Sequence, residues 1–363
     1  MKKRILIMFL LCSCAIGTLY ALHITSNAPN RVPNGFNRNF VAIHGKIALI
    51  KDFGVSFREL AGIHGDTLFL MSDKPGRIHY TDTKLSYLSS IALQNPNIEN
   101  VMPRFYTFVD YPTVYVMGGN AKAFAVGDLR TGTTRKVELQ IDGIFNNPVY
   151  VDGHFVLQFV DNTTLNTEFI KINKHGNTIN TGVNLPKSSR DGGMKRTGLL
   201  RNAGDGRLLY MHYLDNNIEV FDTNLAAYRL IHTVDTNRMS KVEVEYNQYG
   251  AAYKAPPITI NGYCAVYDNI LYVRSKLMAD NEDRKDFNTK TIIDQYEIET
   301  GKYIGSFYLP TPDRKQFAEF YFIDQNTILA FSDNSVIIYT LTRDKRSLQR
   351  PIARGKAALR AMG

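Results

Sequence analysis

The chain of 363 residues has no tryptophan, only three cysteines and no acidic residue before Asp52. Cys12 and Cys14 fall in an apolar N-terminal stretch, so Cys264 is the one thiol of the body and no internal disulfide can staple the fold. Stability must therefore come from packing, and at this length one large all-β domain can bury an ample core. The body also lacks a charge of one sign. Of the formal +9, three charges are Lys2, Lys3 and Arg4, and seven more bases follow Leu341 against the single acid Asp344. The remainder is balanced at 33 bases and 33 acids, so no bulk field draws it to nucleic acid.

Catalytic signatures are missing too. The eight histidines show no HExxH or other metal-ligand spacing, and neither a G-x-S-x-G elbow nor a Walker-type glycine loop occurs. "MADNEDRKDFN" has the acids of a calcium loop without its ordered spacing, and reads as a solvated insertion. Cys264, inside the apolar "GYCAVYD", reads as a small buried hydrophobe with no activating motif. "NTT" at Asn162 is a glycosylation sequon by spelling only. No cofactor and no metal are expected.

What is present begins with Lys2-Lys3-Arg4 followed by an apolar run from Ile5 to Ile24, the pattern of an export signal. Three fates are open: cleavage after Ser13-Ala15 or Gly17, lipidation at Cys14 within the loose lipobox Leu11-Cys12-Ser13-Cys14, or retention as a span, for which about 20 apolar residues suffice. All three place the body outside the cytoplasmic membrane. The expected organisation is residues 1–24 as signal or anchor, 25–37 as linker, 38–341 as the globular body and 342–363 as a basic tail.

Within the body one unit recurs. "YEIETGKYIGSFYLP" is a strand, a polar turn and a strand, and so are "RIHYTDTKLSYLSSIAL", "AFAVGDLRTGTTRKVEL" and "NIEVFDTNLAAYRLIHTV". Ahead of each comes an alternating apolar strand such as "DTLFLMSDKPG" or "NILYVRSKL", and before that another. Four strands at a period of roughly 45 residues make a propeller blade. Six blades follow, at Val55–Leu93, Pro103–Ile141, Ile144–Pro186, Thr197–Val234, Ile258–Pro310 and Phe317–Leu341. The sixth lacks a strand, which "NFVAIHGKIALIKDF" near the N-terminus supplies by pairing with it, so that no exposed edge remains; "SLQRPI" is the alternative. "DLRTG" and "EIETG" are similar to the turns of quinoprotein propellers, but those pack repeated tryptophan that this chain lacks. The plan resembles the six-bladed, TolB-like propellers of bacterial envelopes, including Bacteroidetes lipoproteins. The resemblance implies a propeller in the envelope, and with no shared signature motif it carries over no functional residue.

Up-and-down blades place the second-to-third turns and the blade crossings on one face. The long segments Gln94–Met102, Lys187–Arg196, Asp235–Pro257 and Lys276–Lys290 are all of these kinds, so that face is the expected binding surface. Arg58, Arg104, Arg196 and Arg314 lie at the starts of first strands, where they either converge on the channel mouth to take a carboxylate or phosphate or pair locally with acids. Tyr246, Tyr249, Tyr253 and Lys254 form a loop suited to a partner or anchored on its own scaffold. The expected function is an exported, envelope-associated binding module for an envelope protein or small anionic ligand, monomeric, membrane-tethered at its N-terminus and non-catalytic. A metal-dependent hydrolase similar to propeller lactonases, or a dehydrogenase subunit, is the alternative, and a structural role with the basic tail touching lipid or a partner is a third.

Overall fold

The second strand of each blade is a nearly continuous apolar run because neighbouring blades cover both its faces. Thr67–Ser72 (TLFLMS), Arg207–His212 (RLLYMH) and Ile270–Ser275 (ILYVRS) are each buried after their first residue. Outer strands alternate instead, as Ile43–Asp52 does over most of its length, because one face meets the next blade and the other meets water. The computed structural model describes residues 2–26, 33–94, 105–119, 121–182, 185–186, 190–226, 228–236, 242–247, 250–312, 317 and 319–343. It divides into two units, Met1–Asn34 and Gly35–Gly363.

The second unit is a six-bladed propeller of four-stranded antiparallel sheets. The inner strands, in blade order, are Phe57–His64, Phe105–Asp110, Gly143–Val151, Gly198–Gly204, Asn261–Tyr267 and Glu319–Asp324. Blade 6 takes its fourth strand from the N-terminus: Ile43–Asp52 pairs antiparallel with Ser335–Arg343, from Ile43 opposite Arg343 to Asp52 opposite Ser335. Head and tail thus latch the ring as expected, and the alternative strand "SLQRPI" lies outside the described residues. Between blades 4 and 5 the chain adds a small hairpin, Val244–Asn247 with Gly250–Tyr253.

A second latch precedes the first. Arg38, its side chain fully buried, grips Asp294 on the third strand of blade 5 with Nε and Nη2 at 2.8 and 3.0 Å, and also pairs with Glu282. Main-chain bonds Val41 N to Ser306 O (2.9 Å) and Ser306 N to Asn39 O (2.8 Å) lay this arm on the outer edge of blade 5. The insertion read as solvated therefore does structural work. Glu282 is buried against Arg38, Asp280 accepts from Gly35 N at 2.9 Å, and Asp283 caps the helix Arg284–Thr289. These acids are spent on the arm and the cap, which is why their spacing follows no ion-binding pattern.

The first unit contains one described helix, Lys2–Ser26, with Cys14 on its exposed surface. Among the described residues no helix is long and apolar enough to cross a membrane.

Candidate functional site

All six inner strands run the same way, so their first residues, the blade crossings and the second-to-third turns share one face. On that face lies a cavity of about 490 Å³ whose wall is drawn from five blades. Blade 1 contributes Arg58 and Glu59, blade 2 Phe105 and Tyr106, and blade 6 Glu319. Asn146 and Asn147 of blade 3 reach it because the inner strand bulges there, with Asn147 at φ +50°. Asn147 is fixed by Nδ2 donating to Gly198 O at 2.9 Å.

Two of the long crossings contribute the roof. Gly192, Gly193 and Met194 come from the crossing before blade 4, and Tyr253 from the hairpin before blade 5. The first is a built loop: the buried Asp191 carboxylate accepts from Gly193 N at 2.9 Å and Lys195 N at 3.3 Å. Gly193 is required, since its φ is +80° and a Cβ would sit 2.8 Å from Thr167 Cγ2. Tyr253 Oη donates to Met194 O at 2.8 Å and ties the two crossings together.

Just below lies a cluster of charge. Arg201 of blade 4 approaches Glu59 of blade 1, Nη2 to Oε1 3.8 Å, and stacks on the Tyr263 ring at 4.5 Å. About a fifth of each side chain of the pair is exposed, and Glu59 is on the cavity wall. Glu319 accepts from Tyr321 Oη at 3.0 Å. Arg274 donates to Phe317 O, its guanidinium lying against Gly262, where a Cβ would come within 2.6 Å of it. Burial raises the Glu59 carboxyl, with Arg201 and Arg58 pulling it back. Burial and the charge of Glu59 raise Glu319 well above the ordinary carboxylate range. Burial likewise pushes the Cys264 thiol up to about 12, which leaves it inert, in keeping with a core role.

Of the residues the sequence singled out, Arg58 and Tyr253 line the cavity. Arg196 turns away: it is buried, pairs with Glu219 and donates to Pro186 O. The reason is that Glu219 sits buried on the third strand of blade 4, bonded to His212 Nε2 at 2.7 Å, and needs a cation. Tyr246 is 58 % exposed and Lys254 pairs with Glu243 at 2.8 Å, both away from the cavity lining. Arg104, Arg314 and Tyr249 lie outside the described residues. Glu59, Arg201, Tyr213, Tyr263, Arg274 and Glu319 were not singled out, although a charge inside "FRELAG", "GLLRNAG" and "AEFYFID" is a signal of its own. Among the described residues no three His, Cys, Asp or Glu side chains gather to hold a metal ion.

The chain matches no family model and no curated protein. Solved structures do resemble it. A member of the DUF4221 family from Bacteroides vulgatus aligns with 84 % of this chain and 100 % of its own, at 11 % identity and a TM-score of 0.55. A protein of unknown function from Bacteroides thetaiotaomicron aligns over 83 % and 76 %, at 11 % identity and TM-score 0.49. A catalytically inactive virginiamycin B lyase from Staphylococcus aureus, with quinupristin, aligns over 83 % and 100 %, at 9 % identity and TM-score 0.49. The likeness is one of fold.

Proposed function

We propose that this propeller is an exported, envelope-associated binding protein that holds a small polar ligand in the mouth of its channel and does no chemistry on it. The observation that carries the reading is the cavity of about 490 Å³, whose wall takes side chains from five blades and whose roof joins two of the long crossings. A volume of this order suits a small molecule, and aromatic rings interleaved with amides, carboxylates and a guanidinium suit a polar one. Phe105, Tyr106, Tyr213 and Tyr253 supply the faces; Asn146, Asn147 and Gln158 supply directed hydrogen bonds. A concave site of this volume favours a small ligand over docking of a folded protein partner. Export rests on the basic start and the apolar stretch that forms the helix Lys2–Ser26.

The test is a thermal-shift screen of polar small molecules against the wild type and Thr197→Trp, a substitution on the cavity wall that fills it. Hits that stabilise the wild type and leave the filled variant unmoved support the reading. Hits that stabilise both alike place binding elsewhere and contradict it.

A further inference from the structure

Four buried polar atoms without a hydrogen-bond partner among the described residues gather below the cavity: Arg201 Nε and Nη2, Arg274 Nε and the Tyr263 hydroxyl. The three guanidinium nitrogens can only donate, and the hydroxyl can do so. Arg274 is 8 % exposed and Tyr263 3 %. Leaving such groups unmatched is costly, so the channel here is short of an acceptor. Glu59 does not supply it, because 3.8 Å from Arg201 is beyond a hydrogen bond.

We infer that this floor is a subsite for a carboxylate group of the ligand, received side-on by the Nε–Nη2 edge of Arg201 while Glu59 gives way. The inference rests on reading the cavity as a ligand site. Arg201 is already oriented for the task. Its Nη1 donates to Leu200 O at 3.1 Å and its face lies on Tyr263, which leaves the Nε–Nη2 edge, the edge that matches a carboxylate with two parallel bonds.

The charges around the floor favour an anion over an ammonium group. Arg58, Arg201 and Arg274 face the two carboxyls Glu59 and Glu319, and burial together with mutual repulsion favours a proton on that pair. The other titratable neighbours, Tyr213, Tyr321 and Cys264, stay neutral because burial raises each of them. The balance is therefore positive before a ligand arrives. An incoming carboxylate offsets it and supplies the missing acceptors. Glu59, relieved of Arg201, is free to carry a proton and donate.

Calorimetric titration of the full chain with benzoate and with benzamide tests this, the two probes having one shape and differing in charge. The expected result is at least about tenfold tighter binding of benzoate, a preference abolished in Arg201→Gln, and a several-fold gain for benzoate in Glu59→Gln, which removes the competing carboxylate. Equal binding of both probes to the wild type overturns the subsite and leaves the cavity reading standing. Binding of neither at millimolar concentration counts against both. Should Arg201→Gln fail to fold, Glu59→Gln decides: tighter benzoate binding supports the subsite, and unchanged or weaker binding overturns it.

Discussion

Arg201 of blade 4 reaches across the central channel to within 3.8 Å of Glu59 of blade 1, its diametric opposite in the ring. The pair bars the channel beneath the cavity and joins two blades that share no sheet contact. Arg201 Nε and Nη2 have no hydrogen-bond partner among the described residues. A packed core would match a buried charge removed from water more closely than this.

The carboxyl pair makes stability depend on pH in a stated direction. Glu319 in the folded chain holds its proton well above the ordinary range, owing to burial and the charge of Glu59. Its contribution is therefore complete below about pH 4.5, the unfolded value, and is lost as pH rises through the folded one. Glu319→Gln should leave the melting temperature unchanged at pH 4 and raise it by about 2–4 °C at pH 8. Melting curves across that range check it, and a uniform offset would contradict the assignment.

His212 behaves with the same sign. Burial pulls its proton affinity down, but the carboxylates of Asp215, 3.3 Å from Nδ1, and Glu219, bonded to Nε2, outweigh this and raise it. Its stabilising charge is fully present below about pH 6.5 and lost as pH rises through the folded value. The deficit of His212→Gln relative to wild type should therefore be largest in acid and shrink towards alkaline pH, as read by denaturant unfolding.

The N-terminal arm is predicted to matter as much as the closing strand. Removing the guanidinium in Arg38→Ala leaves Asp294 and Glu282 buried without their cation, for a loss of about 3–5 kcal/mol. Chemical denaturation measures the loss. Limited proteolysis should find new cleavage near residues 35–42 well below the unfolding midpoint.

Gly262 is predicted to hold Arg274 in place by having no side chain. A Cβ there would meet Arg274 Nε and Nη2 at 2.6 Å, so Gly262→Ala should cost about 1–3 kcal/mol. In an Arg274→Ala background the same change should cost almost nothing, and a double-mutant cycle reads the difference.

The ring was legible because each blade repeats the same hydrophobic problem: a buried second strand such as "TLFLMS" or "TILAFS" must recur wherever two sheets stack. Closure was legible for the same reason, as a blade short of one strand. The site was legible only in part. Arg58 could be placed by its position at a strand start, but Glu59, Arg201 and Glu319 lie far apart along the chain and meet only when blades 1, 4 and 6 close round one axis. Arg196 shows the limit from the other side. It too precedes an inner strand, yet the buried Glu219 claims it, and that partner is visible only once the third strand is folded against the crossing.

The most direct test of the central claim is native mass spectrometry of the protein isolated from its own host without unfolding. The account predicts a co-purifying small molecule that is absent from Thr197→Trp, with the melting temperature of the ligand-free forms unchanged. A wild-type protein carrying no such molecule when its host is grown in rich medium, or one retained equally by the filled variant, would contradict it.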